Sequence, residues 1–326
     1  MEGLIAPEGE KPRASMDGVS AASPARTPSR QSRLPRRLLG FLFFAAGLIA
    51  AFAGSLASLA VHAGGSELHS HILLIPFVTA YLIYIRRKQL PNEYNSSPFW
   101  GTVALLLGVT ALVAARAPGI WGHPLSQNDY LTLRTLSFIC LLATGGFFFL
   151  GRQWMRAAAF PFAFLIFMAP MPDAMTDALE TASKLASAEA ANLFFNMTGT
   201  PVLRNGTIFQ LPTITIQVAQ ECSGIRSSWV LFITSVLAAN LFLNSTWRRT
   251  VLVCFVVPLG IIRNGLRVWV IGVLCIYIGP QMIHSIIHRR GGPLFFALSL
   301  IPLFCLLWWL RRREIVRSHK AGKVIE

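Results

Sequence analysis

Eight apolar blocks, most of them close to twenty residues long, separated by short polar links, dictate what this chain can become. They cover about 38–61, 71–85, 99–114, 131–150, 157–169, 229–243, 251–278 and 294–310. A helix needs about 20 apolar residues to cross a hydrocarbon core of about 30 Å. Blocks two, three and five are short and need flanking residues to cross. With 54% hydrophobic and 13% charged residues in 326, the chain is too apolar for a soluble domain of its size. The expected fold is an all-α polytopic membrane protein of about eight transmembrane helices, with an error of one in the count.

The formal net charge of +15 would suit nucleic acid if the cations formed one patch. Here they fall between apolar blocks and in the tails, so membrane orientation explains them and no nucleic acid is expected. Arg33, Arg36 and Arg37 precede the first block, and Arg86, Arg87 and Lys88 follow the second. Arg152 and Arg156 follow the fourth, Arg248 and Arg249 the sixth, and Arg311, Arg312 and Arg313 the eighth. Every second link is basic, which places both termini in the cytoplasm. Arg289 and Arg290, before the eighth block, break this rule on the outer side.

Residues 1–35, rich in Pro, Ser, Ala and Arg, are expected to be a disordered cytoplasmic tail. They are too long and polar for an ordinary cleaved signal peptide. A transmembrane domain over 36–313 and a cytoplasmic tail over 314–326 complete the division. The longest outer link, 171–221, has two parts. Leu179, Ala182, Leu185, Ala186, Ala190 and Leu193 repeat at helical spacing over 176–195, which predicts an amphipathic helix at the outer interface. Asn205-Gly206 then sits between β-formers, which predicts a hairpin. Together these make a small extracytoplasmic helix-plus-hairpin cap between spans five and six.

That cap leads to Cys222. Four of the five cysteines lie inside apolar runs, where a thiol acts as a small hydrophobe. Cys222 alone has polar neighbours, in Gln220-Glu221-Cys222-Ser223-Gly224-Ile225-Arg226. Glu221 tends to raise its pKa. Arg226 and a helix starting near Ser223 tend to lower it. A passive thiol at a helix cap fits the local sequence equally well.

Block seven carries Arg263, Asn264 and Arg267. A charge in hydrocarbon costs several kcal/mol, so such residues face a cavity or a partner. Snorkelling, or a structural hydrogen bond between helices, is the simpler account. At 1.5 Å per residue, Arg267 lies about 24 Å above Val251, near the outer boundary and level with Cys222. His284 and His288 follow, four apart, but no carboxylate or cysteine supports a metal there, and no metal site or cofactor is expected. Cys222, Arg267 and His288 thus share one membrane level. Cysteine and histidine can act as nucleophile and base, and arginine can hold an oxyanion.

The blocks Cys222-Ser223-Gly224-Ile225-Arg226-Ser227, Asn264-Gly265-Leu266-Arg267 and His288 with Gly292 resemble three signature blocks of the exosortase/archaeosortase family. Ser70-His71, leading to Arg86-Arg87, is similar to its early motif. The resemblance covers roughly 69–310. It implies a membrane-embedded cysteine protease and transpeptidase with Cys222 as nucleophile, Arg267 as the family's arginine and His288 as its histidine. Ser223, Gly224, Arg226, Asn264, Arg263 and His71 would support the site or bind substrate. Pro293 departs from the tryptophan of many members, which bears on the start of span eight.

The implied substrates are exported proteins bearing a C-terminal motif, a transmembrane helix and a basic tail. They would be cleaved and passed to an unknown acceptor, a glycan or a lipid. The implied setting is the bacterial inner membrane, in contact with membrane lipid, with the active site at the outer face. The rival class is a non-catalytic transporter or scaffold subunit of envelope or exopolysaccharide assembly. There Arg263, Asn264 and Arg267 would line a polar path and Cys222 would be incidental. No internal repeat of the transporter kind is visible.

Overall fold

The computed structural model describes residues 36–66, 68–91, 94–116, 125–212, 214–218, 224–279, 281 and 286–322, the side chains of 286–292 and 317–322 excepted. The protein is mostly helical in these regions. In chain order the first helices are α1 (Arg36–Ala51), α2 (Ala53–Gly65), α3 (Ile75–Arg86), α4 (Pro98–Arg116) and α5 (Gln127–Gly145). Then come α6 (Arg152–Ala157), α7 (Ala159–Phe164), α8 (Asp173–Met197), α9 (Ile225–Phe242), α10 (Thr246–Tyr277) and α11 (Ile286–Gly322). A 3₁₀ turn at Ser70–Leu74 leads into α3, and another at Leu165–Met168 follows α7.

All eight apolar blocks fall on helices, because a backbone in hydrocarbon must satisfy its own N–H and C=O groups. Among the described residues, five helical stretches are long and apolar enough to cross a membrane: Pro98–Arg116, Gln127–Leu150, Ile225–Phe242, Thr246–Tyr277 and Pro293–Val316. Two bent pairs raise the number to as many as seven: α1 with α2, bent by 67°, and α7 with its 3₁₀ turn and α8, bent by 86°. The second apolar block makes only a 12-residue helix after a 3₁₀ turn, about 18 Å at 1.5 Å per residue. Large apolar side chains cover the outside. Phe43, Phe77, Phe99, Val257 and Trp308 are all well exposed, as suits a surface bathed in lipid rather than water.

Two helical layers meet along α9. The first gathers α2, α3, α5 and the α7 segment around Phe52, Leu82, Phe138 and Phe164, with Ile233 of α9 joining them. The second packs α9, α10 and α11 around Leu231, Leu252, Val256 and Leu303. The start of α5 is fixed by Ser126, whose hydroxyl accepts from the Asp129 N–H at 3.0 Å. Asn128 Nδ2 donates to Asp173 Oδ1 at 2.8 Å, and Asp129 Oδ1 accepts from the Asp173 N–H at 3.0 Å. These bonds clasp the start of α8 to the start of α5.

Between α7 and α9 lie α8 and a sheet. Strands β1 (Leu203–Asn205) and β2 (Ile208–Gln210) form the hairpin around Asn205-Gly206, and Arg204 pairs with Phe209. A third strand, β3 (Thr215–Gln217), adds antiparallel to β2, so the sheet exceeds the expected hairpin. The reason is burial: Phe209, Ile216 and Val218 enter one core with Ala188, Phe195, Val268 and Ile271. That core fixes α8 and the sheet to α10.

Helix α8 buries Ser187, Ala188, Ala191 and Phe195 against α10. Its leucine stripe, Leu179, Leu185 and Leu193, points outward instead and is exposed. Small residues allow this approach. A Cβ added to Gly265 would fall 2.5 Å from the Ala190 Cβ, so the glycine sets how closely the helices cross. Helix α11 starts at Ile286 and runs through Pro293 and on past 313 to Gly322. Pro293 therefore lies inside that helix rather than ahead of it.

Candidate functional site

The site is built where α9 starts. Gly224 caps the helix in the left-handed region, with φ 67° and ψ 6°. Side chains rarely adopt that conformation, and glycine adopts it freely. A Cβ there would also lie 3.1 Å from Arg263 Nη2 and 3.1 Å from Asn264 Oδ1. Glycine is thus required both by the turn and by the close approach of α10.

Helix α10 returns antiparallel to α9 and presents Arg263 and Asn264 to that turn. Arg263 Nη2 donates to the Gly224 carbonyl at 3.0 Å and to Ser228 Oγ at 2.9 Å. The arginine is 6% exposed and Asn264 is 2% exposed. A buried charge is tolerated only when its donors are met. Here one nitrogen bonds twice to the first turn of α9. Arg263 Nη1 and Asn264 Nδ2 are buried and find no hydrogen-bond partner among the described residues. Two oriented donors therefore remain beside Gly224. Arg267 stands one turn along α10 from Arg263, half-buried.

The register of this pair runs in opposite senses. Gly224 meets Asn264, and Ser228 meets Gly260, where an added Cβ would fall 2.8 Å from Ser228 Oγ. Neither Ser228 nor Gly260 is marked as a site residue by the sequence. The signals were the serine directly after the Cys-block and the first of three glycines in an apolar helix. Arg226 lies on the first turn of α9 and is exposed.

Cys222 and Ser223 lie outside the described residues, as do the side chains of His284 and His288. The backbone of His288 belongs to the first turn of α11. The structure thus brings together Gly224, Arg263 and Asn264 from the expected set. His71 belongs to the other layer. It is buried, with Nδ1 3.1 Å from the Leu68 carbonyl oxygen.

Near it the structure shows a histidine pair that sequence reading missed. The rings of His62 and His69 lie 5.2 Å apart, and Ser66 Oγ is 3.1 Å from His69 Nδ1. Burial, with His62 and His71 adding to it and Asp173 opposing, lowers the His69 pKa to about 4. The histidine is therefore neutral at pH 7. The only signal in the sequence was three histidines within ten residues at a link between apolar blocks.

The family model described as transmembrane exosortase matches residues 61–305, well over half of the chain. No curated protein and no solved structure matches.

Proposed function

The chain belongs to the transmembrane exosortase family, and on that premise we propose that it is a membrane-embedded cysteine protease and transpeptidase acting through Cys222, His288 and Arg267. The observation that carries the reading is the buried Arg263 clamp on the Gly224 carbonyl. One residue, Ser223, separates Cys222 from Gly224, so chain reach alone holds their Cα atoms within about 7 Å. Along α10, Arg267 lies one turn beyond Arg263, on the side away from Gly260 and Ser228. Arg263 Nη1 and Asn264 Nδ2 supply further donors beside this point.

In the proposed reaction His288 takes the thiol proton and the Cys222 thiolate attacks the scissile carbonyl. Arg267 stabilises the oxyanion. Collapse of the tetrahedral intermediate breaks the C–N bond. The leaving amine, the new N-terminus of the C-terminal fragment, takes the proton from His288. An acceptor nucleophile or water then attacks the thioester and restores the thiol.

The topology proposed with it has eight spans, counting the short α3, with both termini in the cytoplasm of a bacterial inner membrane. Helix α8 and the sheet then form the outer cap. The 86° bend before α8 suits a helix lying at the interface with its exposed leucine stripe towards lipid. The substrates are exported proteins with a C-terminal motif, a transmembrane helix and a basic tail, handed to a glycan or lipid acceptor. The burial of Arg263 and Asn264 against α9 favours this reading over a transporter, whose polar path would leave them facing an open channel.

The test is co-expression with such an exported protein, comparing wild type with Cys222→Ala. A size shift with wild type alone, at equal amounts of folded protein, is expected. Processing that persists in Cys222→Ala overturns the mechanism.

A further inference from the structure

At the end of α9 opposite Gly224, its last turns and the first turns of α10 line a recess of about 310 Å³ against α7. Its two ends differ in chemistry. Phe160, Val236, Ala239 and Val253 make an apolar wall, while Asn240, Arg249 and Thr250 make a polar rim. Along α10 the rim precedes the wall by one turn, so the polar end lies nearer the basic face and the apolar end runs towards the middle of the span.

The rim is fixed in place and cationic. Arg249 Nε donates to the Leu243 carbonyl at 2.8 Å, which orients the guanidinium and, among the described residues, leaves its outer nitrogens for another acceptor. Arg86 donates to Asn240 Oδ1 and lies over the Phe160 ring, 5.8 Å from its centroid. A second arginine therefore backs the same rim. Among the described residues the acid at this end is Glu314. Its carboxylate already takes Arg248 at 3.2 Å and the N–H groups of Asn244 and Ser245. The recess thus offers unspent positive charge beside an apolar slot open to the lipid.

We infer that this recess is a binding site for an acidic phospholipid, its phosphate held by Arg249 with Asn240 and Thr250, and the upper part of one acyl chain lying along Phe160, Val236 and Val253. A planar guanidinium matches a phosphate in two-point contact. Basic recesses between membrane helices recognise anionic headgroups in this way. A substrate's basic tail is disfavoured here, because it would meet Arg86 and Arg249 without an acid free to receive it.

Cys254 lines the recess, is exposed and forms no disulfide, so it reports occupancy. Wild-type protein is placed in nanodiscs of phosphatidylcholine alone or with phosphatidylglycerol added, and treated with a membrane-soluble maleimide. Labelling is read by peptide mass spectrometry. Cys305, also free and exposed but on α11, is the internal control. Phosphatidylglycerol should protect Cys254 and leave Cys305 unchanged. Arg249→Gln should weaken that protection about fivefold, the effect of one charge near an anionic headgroup. Equal labelling of Cys254 in both lipids overturns the proposal. So does protection that survives in Arg249→Gln, or equal protection by inorganic phosphate without the acidic lipid. If Arg249→Gln does not fold, the two wild-type arms still decide.

Discussion

Arg263 reaches across from α10 and holds the Gly224 carbonyl at 3.0 Å, with Ser228 Oγ on the same nitrogen at 2.9 Å. The contact ties the start of α9, and the Cys-block before it, to the middle of the neighbouring helix. It also gives Arg263 and Arg267 of α10 different tasks. Arg263 is committed to holding backbone, while Arg267, one turn along, is the residue proposed to meet the oxyanion.

Substituting the two arginines should therefore have unlike effects. Arg263→Ala removes charge-assisted hydrogen bonds worth about 1.5–3 kcal/mol and should lower both the melting temperature and the processing rate. Arg267→Ala should abolish processing and leave the melting temperature close to wild type. Melting curves and initial rates on the purified proteins check this. Identical behaviour of the two variants would remove the distinction.

Gly224→Ala should fail as well, for a different reason. A left-handed conformation costs a non-glycine residue roughly 1–2 kcal/mol, and the new methyl would press on Arg263 and Asn264 at 3.1 Å. The expected result is a lower melting temperature and a processing defect. A Gly224→Ala protein that melts and processes like wild type would show that this turn can relax freely.

Gly265 tests whether α8 is held by close packing. An alanine there must displace Ala190, since the Cβ atoms would stand 2.5 Å apart. Overpacking of this kind costs about 1–3 kcal/mol. The Gly265→Ala protein should therefore melt earlier and expose α8 to protease. Protease resistance equal to wild type would show that α8 can shift without loss.

His69 sets a pH dependence. Its pKa is held at about 4, against an ordinary value of 6.5, by burial and by His62 and His71. Between these values the unfolded chain binds the proton and the folded one does not. This residue's contribution is therefore complete above pH 6.5 and is lost as pH falls towards 4. Melting temperature should fall across that window in wild type and fall less steeply in His69→Gln. Coincident slopes would contradict the assignment.

Helix positions and membrane character were legible because both depend on local sequence. A run such as 251–278 can satisfy its backbone in lipid only as a helix. A helix within the long link 171–221 was legible too, from the spacing of its apolar residues. Which residues pack inward was not: Leu179, Leu185 and Leu193 are exposed, while Ser187, Ala188, Ala191 and Phe195 are buried, and Ala190 sits close on Gly265. The third strand escaped notice because Thr215–Gln217 is short, and its pairing is rewarded only once Ile216 joins the core beside α10.

The same divide holds at the site. The sequence alone marked Cys222 as the one cysteine among polar neighbours and placed two arginines and an asparagine within five residues of one span. It could not say which arginine serves the Cys-block, because residues three and four apart on a helix share a face. Tertiary structure made that choice. The depth at which α9 passes α10 is set by close contacts between residues distant in the chain, Ser228 on Gly260 and Gly224 on Asn264. No local pattern encodes that register, and it is what delivers Arg263 to the Gly224 carbonyl.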